Sequence, residues 1–275
     1  MTAGIVGLGL MGGSLALELK ELDFIEKVLG YDKNEEHKKE ALKLGLIDEI
    51  VDFDDIKKCD VIFLAIPVEG IIEALNKLID INENTTVIDL GSTKEKIVKN
   101  VPKKIRKNFV AAHPMTGTEK FGPEAAFKGL YKDKILVLCN IEDSGEKQKK
   151  LSEKIFTDIG MQIVYMDAKE HDKHAAFISH LPHAISYALA NSVLKQEDPK
   201  SILILAAGGF RDMSRLAKSS PNMWTDIFKQ NRENLLLSIE VFKKELKYAQ
   251  KLIEEESWEE LKEWMKTATT LHKIL

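Results

Sequence analysis

Apolar positions along the chain fall into two regimes. Up to about residue 166, short unbroken apolar runs alternate with stretches where apolar residues recur every three or four positions. Residues 3–7 (AGIVG), 27–31 (KVLGY), 61–66 (VIFLAI), 86–90 (TVIDL), 109–112 (FVAA), 135–139 (ILVLC) and 162–166 (QIVYM) read as strands. Residues 13–22 and 34–44 read as helices. Runs this apolar belong to strands covered on both faces, so the pattern predicts a parallel sheet flanked by helices. From about residue 167 the period is helical throughout. It covers 168–194, broken or kinked near Pro182, then 200–207, 221–229, 231–254 and 257–274. Ser220-Pro221 has the form of a helix start, and Ser257 with Glu260 fits a capping box. The expected fold is α/β: a doubly wound sheet over residues 1–166, then an all-helical domain over 167–275.

Composition narrows the function classes. A length of 275 residues suits two ordinary domains. The formal net charge of −4 argues against a nucleic-acid-binding surface. Two cysteines, Cys59 and Cys139, exclude a disulfide framework and fit a cytosolic setting. The N-terminal stretch is broken by glycines and lacks a basic leader, so it does not read as a signal peptide. No apolar run is long enough to span a bilayer. The expected location is therefore cytoplasmic, with no membrane partner. The charged stretch 243–263 reads as a solvated helix face.

Two counts point to chemistry. Of 40 basic residues only four are Arg, namely Arg106, Arg211, Arg215 and Arg232. Of seven His, five lie between positions 113 and 183. An Arg grips a carboxylate with a planar fork that Lys lacks, so two Arg four residues apart invite a reason.

Gly7-Leu8-Gly9-Leu10-Met11-Gly12 is a G-x-G-x-x-G that follows the first strand and opens a helix. Asp32 stands 20 residues beyond Gly12, at the end of the next strand. This is the Rossmann dinucleotide fingerprint in its proper context. Gly7 permits the tight turn, Gly9 lets backbone approach a pyrophosphate, and Gly12 lets helix and strand pack. The helix N-terminus offers free N–H groups to phosphate. Asp32 suits a ribose diol and repels a 2′-phosphate, so NAD is the expected cofactor, although Lys33 beside it carries the opposite charge. Ala65 and Pro67 end a later strand where a cofactor's ribose or nicotinamide would lie. Pro67 serves equally well as a plain strand terminator.

Further candidates sit at other strand ends and in the helical region. Ser92, in Asp89-Leu90-Gly91-Ser92-Thr93-Lys94, is either a helix N-cap or a group that orients a substrate hydroxyl. His113, in a loop running on to Thr118 and Glu119, is a candidate acid or base. His180 and His183, three apart, would share a helix face. Zinc is set aside there because Glu170 and Asp172 read as a polar loop and no thiolate is near. Arg211 would pair with Asp212. Arg215 has no adjacent acid, which makes it the better candidate for a substrate carboxylate. Trp224 reads as core.

Taken together, GLGLMGGS (7–14), DLGSTK (89–94), HPMTGTE (113–119), SHLPH (179–183) and GGFRDMSRLAKSSPNMW (208–224) resemble the prephenate/arogenate dehydrogenase family of tyrosine biosynthesis. The resemblance implies a Rossmann domain followed by a helical dimerisation domain, a homodimer, and NAD-dependent oxidative decarboxylation. Hydride leaves the ring carbon bearing the hydroxyl, the opposite carboxylate leaves as CO2, and aromatisation drives the loss. By position, His113 would accept the hydroxyl proton, and Ser92 would orient that hydroxyl and also touch the cofactor. Arg215 would bind a carboxylate with His183 assisting. Ser179, Gly208 and Trp224 would line the substrate pocket, with Thr118 and Glu119 beside the substrate side chain. Ala207 and Ser214 depart from the family's usual Gly and Thr without touching this chemistry.

Two other classes compete. A β-hydroxyacid-type dehydrogenase shares the glycine-rich start, but it uses a Lys on its helical domain where this chain has His. A regulatory NAD-binding module without catalysis would have no use for Ser92, His113 and Arg215 together.

Overall fold

The computed structural model describes residues 1–274. Among these, eight strands form one sheet: β1 (Thr2–Val6), β2 (Lys27–Tyr31), β3 (Glu49–Ile50), β4 (Val61–Leu64), β5 (Thr86–Asp89), β6 (Phe109–Pro114), β7 (Ile135–Cys139) and β8 (Gln162–Met166). Their order is β3-β2-β1-β4-β5-β6-β7-β8. The strands from β3 across to β6 are parallel, as the apolar runs predict. β7 corrects that expectation: it runs antiparallel to β6, and β8 follows β7 in parallel. A parallel return needs a crossover element, usually a helix. The segment between β6 and β7 offers only the 3₁₀ turn Pro123–Ala125. β3 escapes sequence reading because two residues cannot display a period.

The helices of the nucleotide half are α1 (Leu10–Leu19), α2 (Glu35–Lys43), α3 (Phe53–Ile56), α4 (Val68–Lys77), α5 (Glu95–Lys99) and α6 (Glu146–Asp158). They cover both faces of the sheet, which is why alternate side chains of one strand enter different cores. Val61 and Phe63 of β4 join one apolar cluster, while Ile62 and Leu64 join the other. Truncating a side chain such as the fully buried Phe63 to Ala would cost about 3–5 kcal/mol.

Beyond β8 come α7 (Ala168–Ala175), α8 (Leu181–Leu194), α9 (Pro199–Ile204), α10 (Gly208–Ser214) and α11 (Pro221–Gln230). The expected break near Pro182 is a π-helical turn, Ala176–His180, inserted between α7 and α8. Pro182 lies in the first turn of α8, where its missing N–H costs nothing. Packing divides the chain into two units, Met1–Asn231 and Arg232–Leu275. The second is a helical pair, α12 (Arg232–Glu254) and α13 (Trp258–Thr269), tied by a Trp264 Nε1–H bond to Glu245 Oε2 at 3.0 Å. The capping box expected at Ser257 does not form; its side chain makes no cap bond. Among the described residues no helix is long and apolar enough to cross a membrane.

Candidate active site

At the carboxyl end of β1 the backbone turns sharply. Gly7 has φ +97°, and a Cβ there would lie 2.4 Å from the Ala65 carbonyl oxygen. A Cβ on Gly12 would lie 1.8 Å from Gly7 O, so helix and strand touch through bare backbone. At Gly9 the nearest atom to such a Cβ is 4.0 Å away. The turn therefore needs Gly7 and Gly12 for its own packing, whereas the space over Gly9 is open. Gly9 caps α1 without a side-chain bond, so Leu10 and Met11 begin a helix whose first N–H groups have no partner within it. Asp32 closes the cradle. Its Oδ2 accepts from Leu8 N–H and its Oδ1 from Asn34 N–H, both at 2.8 Å. Each oxygen keeps a further lone pair for a ribose hydroxyl. Lys33 turns away to pair with Glu73 at 3.1 Å. Pro67 forms the N-cap of α4, beside Ala65, whose N–H continues the ladder to Val6.

Next along the sheet edge, the loop after β5 carries Ser92. The N-cap alternative for this residue fails. The α5 N-terminus is capped from far away by Asp172, which accepts from Lys94 N–H at 2.7 Å and Glu95 N–H at 2.9 Å. Ser92 is half-buried, and its hydroxyl makes no hydrogen bond among the described residues. Beneath it lies a fully buried ion pair, Lys94 with Asp89. Lys94 also donates to Ala112 O at 2.7 Å. Asp89 further accepts from Gly91 and Ala112 N–H. Burial pushes the Asp89 carboxyl above its ordinary range, and Lys94 opposes that shift.

β6 neighbours β5, so His113 emerges beside this loop. It is buried, and its Nδ1 meets His171 Nε2 at 2.8 Å. His171 Nδ1 in turn meets Asp172 Oδ1 at 2.8 Å. Burial holds His113 well below the usual histidine range, and His171, Lys94 and His180 add to the effect. His180 is buried on the π-turn and pushed down to about 4, chiefly by burial. Asn231 Nδ2 donates both to Asp172 O and to His180 Nδ1. Sequence reasoning missed this assembly. It placed Asp172 in a polar loop and did not single out His171, yet both are buried on α7. The available signal was Ala168, His171, Asp172 and Ala175, which form one helical face.

Arg215, just past α10, is half-exposed. No acid adjoins it in sequence, but Nη1 donates to Glu119 Oε2 at 3.3 Å, across 96 residues. The expected partner of Arg211 is corrected: Arg211 Nε donates to Ala206 O at 3.1 Å rather than pairing with Asp212. His183 stacks on Trp224 with centroids 3.4 Å apart and rings inclined by 21°. His180 meets the same indole edge-on at 6.0 Å, so the two histidines do share a face. Trp224 is buried as expected, and its Nε1 has no partner among the described residues. The half-buried Ser179 gives its carbonyl to His183 Nδ1–H at 2.9 Å. Burial lowers His183 below its ordinary range. Thr118 Oγ1 accepts from Lys120 N–H, and Gly208 begins α10 at the surface.

Two family descriptions match successive parts of the chain. The family described as "Prephenate dehydrogenase, nucleotide-binding domain" matches residues 15–165. "Prephenate dehydrogenase, dimerization domain" matches residues 167–267. The prephenate dehydrogenase of Bacillus subtilis (strain 168) is 32% identical over 271 residues, covering 96% of this chain and 73% of that protein. A crystal structure of prephenate dehydrogenase from A. aeolicus, in complex with hydroxyphenyl propionate and NAD+, is 37% identical with a TM-score of 0.92. It covers 99% of this chain, and 97% of that one is matched. Synechocystis arogenate dehydrogenase is 28% identical with a TM-score of 0.82, covering 99% of both chains. A nucleotide-binding sheet and a dimerization domain, matched in this order along one chain, make it a member of the prephenate dehydrogenase family of oxidoreductases.

Proposed function

We propose that this chain catalyses the NAD-dependent oxidative decarboxylation of prephenate to 4-hydroxyphenylpyruvate and CO2. The observation that carries the reading is His113: a buried imidazole, kept neutral by its surroundings, with Nε2 unbonded among the described residues. The relative that holds NAD+ and hydroxyphenyl propionate supports it.

The cradle fits NAD. The open space over Gly9 and the α1 N-terminus suit a pyrophosphate. Asp32 suits a ribose diol, with Ala65 and Pro67 alongside. Lys33, paired with Glu73, is drawn away from any 2′-phosphate. Bound NAD supplies the hydride acceptor. His113 takes the hydroxyl proton of the substrate on Nε2, and the unbonded Ser92 hydroxyl orients that hydroxyl. Arg215 presents a five-donor fork of which Glu119 uses one donor, so the rest can hold a carboxylate. His183, fixed by Ser179 and Trp224, completes that end of the pocket, with Thr118 and Gly208 at its rim.

A second reading is arogenate, favoured by one feature. Glu119 places a carboxylate beside Arg215, and arogenate carries an ammonium next to its carboxylate. NADH formation, assayed side by side with prephenate and arogenate, and with NAD against NADP, separates the readings. No turnover of either substrate would sink both. We also infer that the dimerization domain makes a homodimer. Ile204 and Leu205, each 82% exposed, are the kind of surface such contact would cover. A monomer by light scattering would contradict this.

A further inference from the structure

A neutral imidazole has one protonated nitrogen and one lone pair, and only the lone pair can act as a base. Which nitrogen of His113 carries the proton can be worked out from its neighbours. Asp172 accepts from two backbone N–H groups, so it faces His171 as a carboxylate that accepts once more. His171 Nδ1 is then the donor to Asp172 Oδ1, and its Nε2 holds the lone pair. That lone pair faces His113 Nδ1, which is therefore the donor. The remaining nitrogen of His113, Nε2, is left with the lone pair. Asn231 Nδ2 donates to His180 Nδ1, so that nitrogen of His180 is the acceptor.

We propose that His171 and Asp172 are positioning residues that fix the base: Asp172 sets the tautomer of His171, and His171 sets that of His113. The proposal rests on the reading of His113 as base given above. The step is balanced as follows. The substrate O–H bond breaks toward His113 Nε2, and the oxygen keeps the electron pair that becomes the carbonyl as hydride leaves. The Nδ1 proton of His113 passes to His171 Nε2. Both histidines keep their remaining proton, and the positive charge comes to rest beside Asp172.

The arrangement answers a conflict at this site. A base in a buried site next to Lys94 starts neutral, as it must, but the charge it gains is costly there. The charged and titratable groups facing His113 are Lys94 before α5, His171 on α7 and His180 on the π-turn. Lys94 is already matched by Asp89, which leaves Asp172 to balance an added proton. Two hydrogen bonds carry the charge to it.

The test uses the full-length enzyme and three variants. In Asp172→Asn the amide –NH2 cannot accept, so one cap bond to Lys94 or Glu95 is lost; with the –NH2 turned to His171 Nδ1 it donates there and reverses both tautomers. The expected result is a loss in kcat of at least ~100-fold, with substrate KM and NAD Kd changed less than about threefold. The acid limb of the kcat profile moves to lower pH, because the counter-charge is gone. His171→Gln leaves the α5 cap untouched and can still accept from His113 Nδ1–H. It keeps more activity than His171→Leu. Ring-¹⁵N NMR of the resting enzyme reads the tautomers directly, with His113 protonated at Nδ1 in the parent and at Nε2 in Asp172→Asn. His113 protonated at Nε2 in the parent overturns the proposal. So does a folded Asp172→Asn or His171→Leu enzyme with kcat within twofold of the parent. A parent enzyme inactive on both prephenate and arogenate would instead overturn the proposed function, and the NMR result would still decide the tautomer chain.

Discussion

At Gly7, Gly9 and Gly12 the chain presents bare backbone; at His113 it presents side chains collected from β6, α7 and the π-turn. The first region works by removing atoms. Its residues are local, 7–12 plus Asp32, packed on the Ala65 backbone, and its charge is the partial charge of a helix end. The second works by adding atoms and burying them. Lys94, Asp89, His113, His171 and Asp172 are joined across as many as 78 residues of sequence. Backbone suits a ligand whose phosphates are the same in every turnover. Side chains are needed where a proton must move, because only they titrate in the useful range.

This contrast can be broken experimentally, beginning with the largest effect. His113→Asn removes the proposed base while leaving the glycine turn intact. We expect kcat to fall by ~10²–10⁴-fold with NAD affinity unchanged by calorimetry; near-normal kcat would remove His113 from the chemistry. Lys94→Met leaves Asp89 buried and unpaired. Chemical denaturation should show a loss of about 3–5 kcal/mol, and a loss under 1 kcal/mol would mean the pair is not buried as described. Arg215→Ala should weaken substrate binding by roughly 2–5 kcal/mol. Its exposed bond to Glu119 adds little to stability, so Tm should barely move. An unchanged KM would pass the carboxylate-binding role to another cation.

Acid tests the buried histidines together. His113, His180 and His183 are all depressed by burial, so the unfolded chain binds protons more readily than the folded one. Their contribution is complete above the unfolded value near 6.5 and is lost as pH falls. For His180 the loss runs from about 6.5 down to about 4 and amounts to the order of 3 kcal/mol. Glu69 is held at about 2 by Lys96 and Gln230, so its stabilisation is complete above about 4.5 and is lost only at still lower pH, between about 4.5 and about 2. Stability that stays flat from pH 7 to 4.5 would contradict the burial of the histidines. The smallest effect belongs to the glycine turn. Gly9→Ala clashes with no protein atom, its nearest neighbour being Gly122 N at 4.0 Å, so Tm should hold while the KM for NAD rises roughly tenfold, about 1.4 kcal/mol. Gly12→Ala, driven into Gly7 O, should instead lose stability.

The same contrast explains what could be read from the residues alone. The glycine turn is one contiguous motif with a partner 20 residues on, so its spacing carried nearly all its meaning. Single residues at strand ends, Ser92 and His113, were visible as candidates because a strand end is a local feature. The connections were not visible. Nothing at position 172 announces that its carboxylate caps α5, and nothing at Glu119 points to Arg215. The reversal of β7 was lost for a related reason: apolar runs report burial, not strand direction. The capping box at Ser257 matched in spacing and still failed, since a hydroxyl bonds only if the backbone before the helix aims it.

A helix cap supplied from 77 or 78 residues away is also a mechanical tie. The loop bearing Ser92 and the helix bearing His171 share one carboxylate, so neither can swing without exposing the amides of Lys94 and Glu95. Hinge motion between these two segments would have to break the wiring of the base. On the proposed reading the proton acceptor stays assembled between turnovers, and conformational freedom for loading and release has to come from other parts of the molecule. Those two amides would exchange with solvent only when the base itself comes apart, which makes them natural reporters of an armed enzyme.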